Sequence, residues 1–102
     1  SYRAAKEIEF KEGKVKAYTE GLENFENGYS YAKRVDFKQG ELTTYREGCE
    51  NIGGSSYKAH NTIHYRNGMP YTRVEDFEAA EGNWSAKREY ELTEEGWQAV
   101  IE

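Results

Sequence analysis

Three observations predict an all-β fold: a motif that recurs about every 27 residues, period-two alternation inside each copy, and a glycine closing each alternating run. Ile8-Glu9-Phe10-Lys11-Glu12-Gly13 returns as Val35-Asp36-Phe37-Lys38-Gln39-Gly40 and as Ile63-His64-Tyr65-Arg66-Asn67-Gly68. A looser copy is Tyr90-Glu91-Leu92-Thr93-Glu94-Glu95-Gly96, and an alanine stands near the start of each unit, at 5, 32, 59 and 86. Repetition at a fixed period marks one supersecondary unit used several times. Each unit reads as strand, tight turn, strand and longer loop, so the expected fold is an antiparallel up-and-down meander of about eight short strands from four ββ repeats.

The first strand of each unit alternates. Ile8 and Phe10 point one way, with Glu7, Glu9 and Lys11 opposite; Val35 and Phe37 repeat the pattern against Arg34, Asp36 and Lys38. Such alternation describes a half-buried strand. Asn67-Gly68 suits a two-residue type I′ turn, whereas Glu12-Gly13 and Gln39-Gly40 suit a type I turn closed by a left-handed glycine. Second strands are expected at 14–20, 41–47, 69–75 and 97–101, with Pro70 near a strand start, where a missing N–H is tolerated. The stretches 21–28, 48–56 and 76–83 are rich in Gly, Asn and Glu and read as loops, with a helical turn available to 75–81.

The predicted inward face is Ile8, Phe10, Val15, Val35, Phe37, Leu42, Ile63, Tyr65, Tyr90 and Leu92. Simple parity puts Tyr18 and Tyr45 out of phase with Val15 and Leu42, so those strands carry bulk on both faces. Closure into a small barrel of lipocalin-like architecture would remove both unpaired edges. The alternatives are an open twisted repeat sheet, one face of which needs a partner, and a solenoid-like stack of hairpins.

Composition narrows the function classes. One domain spanning residues 1–102 is expected from the length. Nine Tyr, four Phe and two Trp supply large buriable side chains despite a mean hydropathy of -1.06, which argues against disorder. Residues 1–51 hold ten acids and nine bases, and residues 52–102 hold nine acids and five bases, giving a net charge of -5. That balance disfavours nucleic acid and anionic membranes, which need a basic footprint. The longest apolar run is too short to span a bilayer as a helix. A soluble domain is expected, and the compartment is not indicated. Starting at Ser1 rather than Met leaves a processed or trimmed precursor open.

Few residues invite chemistry. His60 and His64 lie four apart on a predicted strand, roughly 13 Å from one another, too far to chelate one ion together. His64 also falls in the slot of Glu9, Asp36 and Glu91, the presumed polar face. Cys49, the one cysteine, falls in the slot of Leu22 and Phe77 and reads as an apolar filler. Paired acids on strands read as cross-strand charge pairs, and no phosphate loop, zinc spacing or nucleophile elbow is present. No catalytic residue, metal site or cofactor is therefore expected.

The expectation is a non-enzymatic binding protein. Tyr31, Tyr57, Tyr65, Tyr71, Trp84 and Tyr90 would line a barrel mouth for a small apolar or aromatic ligand. The alternative is an interaction or inhibitor module acting through a sheet face, with an acidic loop of Glu75, Asp76, Glu78 and Glu81 meeting a basic protein, or with a homodimer as the assembly. An enzyme using His60, His64 and nearby acids ranks third.

Overall fold

The computed structural model describes residues 2–26, 28–54, 56–80 and 82–101. They form one antiparallel sheet of nine strands: β1 (Tyr2–Lys11), β2 (Lys14–Phe25), β3 (Gly28–Lys38), β4 (Glu41–Gly53), β5 (Ser56–Arg66), β6 (Met69–Ala80), β7 (Asn83–Ser85), β8 (Arg88–Thr93) and β9 (Gly96–Ile101). Their spatial order is β1-β2-β3-β4-β5-β6-β8-β9, with β7 also paired to β6. The all-β meander is therefore as the repeat predicts, and the sheet is open. Among the described residues nothing pairs the outer edge of β1 or of β9.

The strands are longer than expected. The stretches read as loops at 21–28, 48–56 and 76–83 mostly continue β2, β4 and β6, because a polar sequence can still complete a ladder on a solvated sheet. Phe25 pairs with Gly28 and Gly53 with Ser56, so these connections shrink to two residues. The helical turn allowed for 75–81 is likewise part of β6, and Glu81 lies outside the described residues.

At the opposite end, three hairpins share one turn. Glu12, Gln39 and Asn67 all have φ of 53°, and the glycines after them have φ of 78°, 83° and 78°. Two successive left-handed residues define type I′, whose twist matches the flanking strands. The type I turn expected at Glu12-Gly13 and Gln39-Gly40 occurs instead in the fourth hairpin. There only Gly96 is left-handed, and Thr93 Oγ1 accepts from the Glu95 N–H and donates to the Gly96 carbonyl.

Beside each of the three type I′ turns, one extra residue interrupts the ladder. Glu9 pairs with Ala17 but Phe10 with Val15; Asp36 pairs with Thr44 but Phe37 with Leu42; His64 pairs with Thr72 but Tyr65 with Pro70. Lys16, Thr43 and Tyr71 are the bulged residues, and Thr43 Oγ1 donates to the Asp36 carbonyl. A bulge resets the side-chain phase. Tyr18 and Tyr45 consequently share a face with Val15 and Leu42, contrary to parity.

A second interruption crosses the whole sheet. The registers of adjacent strands are interrupted at Ala5 with Gly21, Gly21 with Ala32 (and the next pair, Leu22 with Tyr31), Ala32 with Gly48, Gly48 with His60, and His60 with Asp76. The next step reaches Lys87, in the gap between β7 and β8. Strands β2, β4 and β6 each carry a left-handed residue here: Gly21 (φ 65°), Gly48 (60°) and Asp76 (51°). Such a residue turns an extended chain sharply, and the sheet is creased along this line.

The crease explains why no barrel forms. Barrel closure needs curvature about an axis near the strand direction. A crease running across the strands folds each strand toward itself and leaves the sheet edges apart.

Burial follows the crease rather than hydrophobicity. Ala17, Thr19, Tyr31, Cys49, Ala59, Thr62 and Val74 are the buried residues, and all belong to the concave side. Across the crease Tyr31 and Arg34 border the same hollow while Ala32 and Lys33 are exposed. The predicted inward face lies on the convex side instead, where Phe10 is 65% exposed and Ile8 52%.

Candidate functional site

The concave side collects polar and aromatic groups from both halves of the creased strands. Near its centre, Asp36 Oδ1 accepts from Arg34 Nε at 3.0 Å and Oδ2 accepts from Arg46 Nη1 at 3.3 Å. Arg34 also bridges to Glu9 at 3.2 Å and donates to the buried Thr19 hydroxyl. These side chains meet because bulges beside the turns place Asp36, Glu9 and His64 on one cross-strand row, next to the row holding Thr19, Arg34, Arg46 and Thr62. Partly buried ion pairs of this kind hold their side chains in a fixed geometry when several share one carboxylate.

Beyond the crease the same face is aromatic. Tyr29 and Tyr31 stack with centroids 6.0 Å apart, Tyr57 tilts against Phe77 at 5.5 Å, and Phe77 stacks on Trp84 at 5.9 Å. Burial raises the Tyr31 phenol far above its ordinary value, and the neighbouring Cys49 thiol is raised by burial too. Cys49, 2% exposed, is thus an apolar filler packed with Tyr31 and Ala59, not an accessible thiolate.

Two hollows lie side by side here and share Arg46 and Tyr57. The larger, about 540 Å³, lies over the Arg34–Asp36 pair and the Tyr29–Tyr31 stack. The other, about 330 Å³, has Tyr57, Phe77 and Trp84 as an aromatic wall and Arg46, Thr62 and His64 as a polar floor. Thr62 is 4% exposed, and its Oγ1 has no hydrogen-bond partner among the described residues. A buried hydroxyl without a partner is costly and calls for an explanation.

No protein-family model, curated protein or solved structure matches this chain.

The residues expected to bind ligand divide between the faces. Tyr57 and Trp84 line the smaller hollow, and Tyr31 lies in the adjoining core. Tyr71, the bulged residue, sits beside His64 at 6.3 Å with the Arg66 guanidinium 4.3 Å from its ring centroid. Tyr65 and Tyr90 fall on the convex side with Ile63 and Arg73. The acidic group does not form a loop. Glu75 bridges to Arg73 and Arg88, and Asp76 accepts from or pairs with His60 Nδ1 at 3.0 Å. Glu78 is exposed on the strand opposite Lys58.

Sequence reasoning missed Arg46, Thr62 and Phe77, and it held His64 only for the enzyme alternative. The register argument for His64 assigned the right row, beside Asp36 and Glu91, but that row is concave and partly buried rather than solvated. Burial lowers the His64 pKa, Arg46 lowers it further, and Glu89 opposes them. Among the described residues no three His, Cys, Asp or Glu side chains converge as a metal site would require.

Proposed function

We propose that this chain is a non-enzymatic binding domain that takes a small aromatic molecule, with a hydrogen-bond acceptor on one edge, into the hollow over Thr62. The observation that carries this reading is the aromatic wall of Tyr57, Phe77 and Trp84 in one hollow with the Arg46 guanidinium. Arg46, which makes one 3.3 Å contact to Asp36, keeps other N–H donors for a ligand acceptor. The ring would lie against Tyr57, Phe77 and Trp84, where offset or tilted stacking contributes about 0.5–1.5 kcal/mol per pair beyond area burial. A hollow of about 330 Å³ is at the small end of ligand sites. A carboxylate suits the acceptor only when directed at Arg46, because Glu89 in the same lining opposes an anion in other orientations.

The test is titration of the chain with benzoate and 1-naphthoate, followed through Trp84 fluorescence in a Trp97→Phe background. Quenching should saturate, and Arg46→Gln should weaken it by roughly ten-fold or more, the order of one lost charge-assisted contact. Equal binding of cyclohexanecarboxylate, or an unchanged affinity in Arg46→Gln, would count against the reading.

A second reading is favoured by a separate observation. Two rows of apolar side chains on the convex face have no covering element among the described residues, as an interaction surface would require.

A further inference from the structure

We infer that the convex face is a self-association surface, on which a second copy of this chain sits face to face about a two-fold axis parallel to the strands, between β4 and β5.

The face is built in rows. Nearest the turns lie four hairpin pairs, Phe10–Val15, Phe37–Leu42, Tyr65–Pro70 and Leu92–Trp97, with a hollow between the first two at Val15 and Phe37. The next row runs Ile8, Tyr18, Val35, Tyr45, Ile63, Arg73 and Tyr90. Arg73 is its single charge, and that guanidinium is engaged: Nε donates to Asn61, Nη2 bridges to Glu75, and Cζ lies 5.8 Å from the Tyr90 ring centroid. Soluble chains rarely leave so many apolar side chains on one face to water.

The third row identifies the occupant. It runs Lys6, Glu20, Lys33, Glu47, Asn61, Glu75 and Arg88, alternating in sign over its first four positions. Rotation about the stated axis lays β2 over β8 and β3 over β6 of the partner. Glu20 then meets Arg88, and Lys33 meets Glu75, while Tyr45 lies over Ile63 at the axis. Lys33 forms no ion pair within its own chain among the described residues. The charge row is thus complementary to itself under the same operation that superposes the apolar rows, as an isologous interface demands.

The area is sufficient. Eight strands at about 4.8 Å spacing and three rows about 7 Å apart cover roughly 700 Å² per copy. The total of about 1,400 Å² lies in the range of stable specific interfaces, and sheets stacked about 10 Å apart form an ordinary sandwich.

Sedimentation equilibrium of the chain tests this. The expected mass is about twice 11.8 kDa at micromolar concentration, falling to the single mass in Tyr45→Lys/Ile63→Lys with the circular dichroism retained. Lys33→Glu and Glu75→Lys, each alone, should associate roughly ten-fold more weakly, because each sets like charges face to face. Mixed together they should form a heterodimer, since both cross-axis pairs are then opposite in sign. That arm stands even if the double lysine variant does not fold. A monomer at 100 μM, a dimer that survives Tyr45→Lys/Ile63→Lys, open-ended polymers through the β1 or β9 edge, or no gain on mixing would each overturn the inference.

Discussion

Gly48 and His60 face each other across β4 and β5 so closely that a Cβ on Gly48 would come within 3.1 Å of the His60 Cβ. The same holds for Gly21 against Ala32, also at 3.1 Å, and both glycines are left-handed. Two demands therefore meet at one residue, a positive φ and a missing side chain. Gly13, with φ of 78° and nothing within 4 Å of a Cβ, carries only the first. Gly48→Ala should therefore destabilise the chain by more than Gly13→Ala, which should cost about 1–2 kcal/mol. Urea midpoints of the two variants check this, and equal losses would remove the crowding argument.

The turns offer a gain. Gln39 holds a left-handed backbone at 53°, the φ that Asn67 holds in the equivalent turn. Asn tolerates that conformation better than Gln and favours the first position of a type I′ turn. Gln39→Asn should raise stability by about 0.5–1 kcal/mol, seen as a higher thermal midpoint.

Removing the Thr62 hydroxyl should help the fold. Thr62→Val keeps the shape and deletes a buried polar atom that lacks a partner. The unliganded variant should be more stable than the parent by about 1 kcal/mol. A lower thermal midpoint would mean that the hydroxyl is satisfied in solution.

His64 should give stability a pH dependence of predictable sign. Burial, then Arg46, holds its folded pKa below the ordinary value. The unfolded chain takes up a proton near pH 6.5 that the folded chain resists until lower pH. This group therefore costs nothing well above about pH 6.5, weakens the fold as pH falls through that value, and stops adding to the loss below the folded pKa. Urea midpoints of parent and His64→Gln between pH 8 and pH 5 should move in the variant's favour as pH falls. A constant difference would show that the imidazole titrates alike in both states.

Much of this architecture is legible in the chain. The 27-residue spacing of Phe10 and Phe37 marks the hairpins, and Gly13, Gly40 and Gly68 mark their turns. The burial pattern is not legible, for two physical reasons. Lys16, Thr43 and Tyr71 are bulged, and nothing in their side chains announces an extra residue in one strand. Gly21 and Gly48 read as loop glycines, whereas they serve a crease inside strands; Asp76 does the same work in the third unit without being glycine. The site suffers most. Arg46 and Thr62 gain meaning only from neighbours on β3, β5 and β6, and Phe77 only from the crease that turns it toward Trp84.

A thin plate bends easily, but a plate with one fold resists curling in the manner of an angle iron. The row from Ala5 to Lys87 acts on this sheet as such a rib. It lets a single layer hold its profile with little behind it. Each unit of the repeat supplies its own length of rib, one alanine-side strand and one left-handed strand, with His60 and Asp76 substituting in the third. A chain assembled this way can lengthen or shorten by whole units while the trough keeps its cross-section.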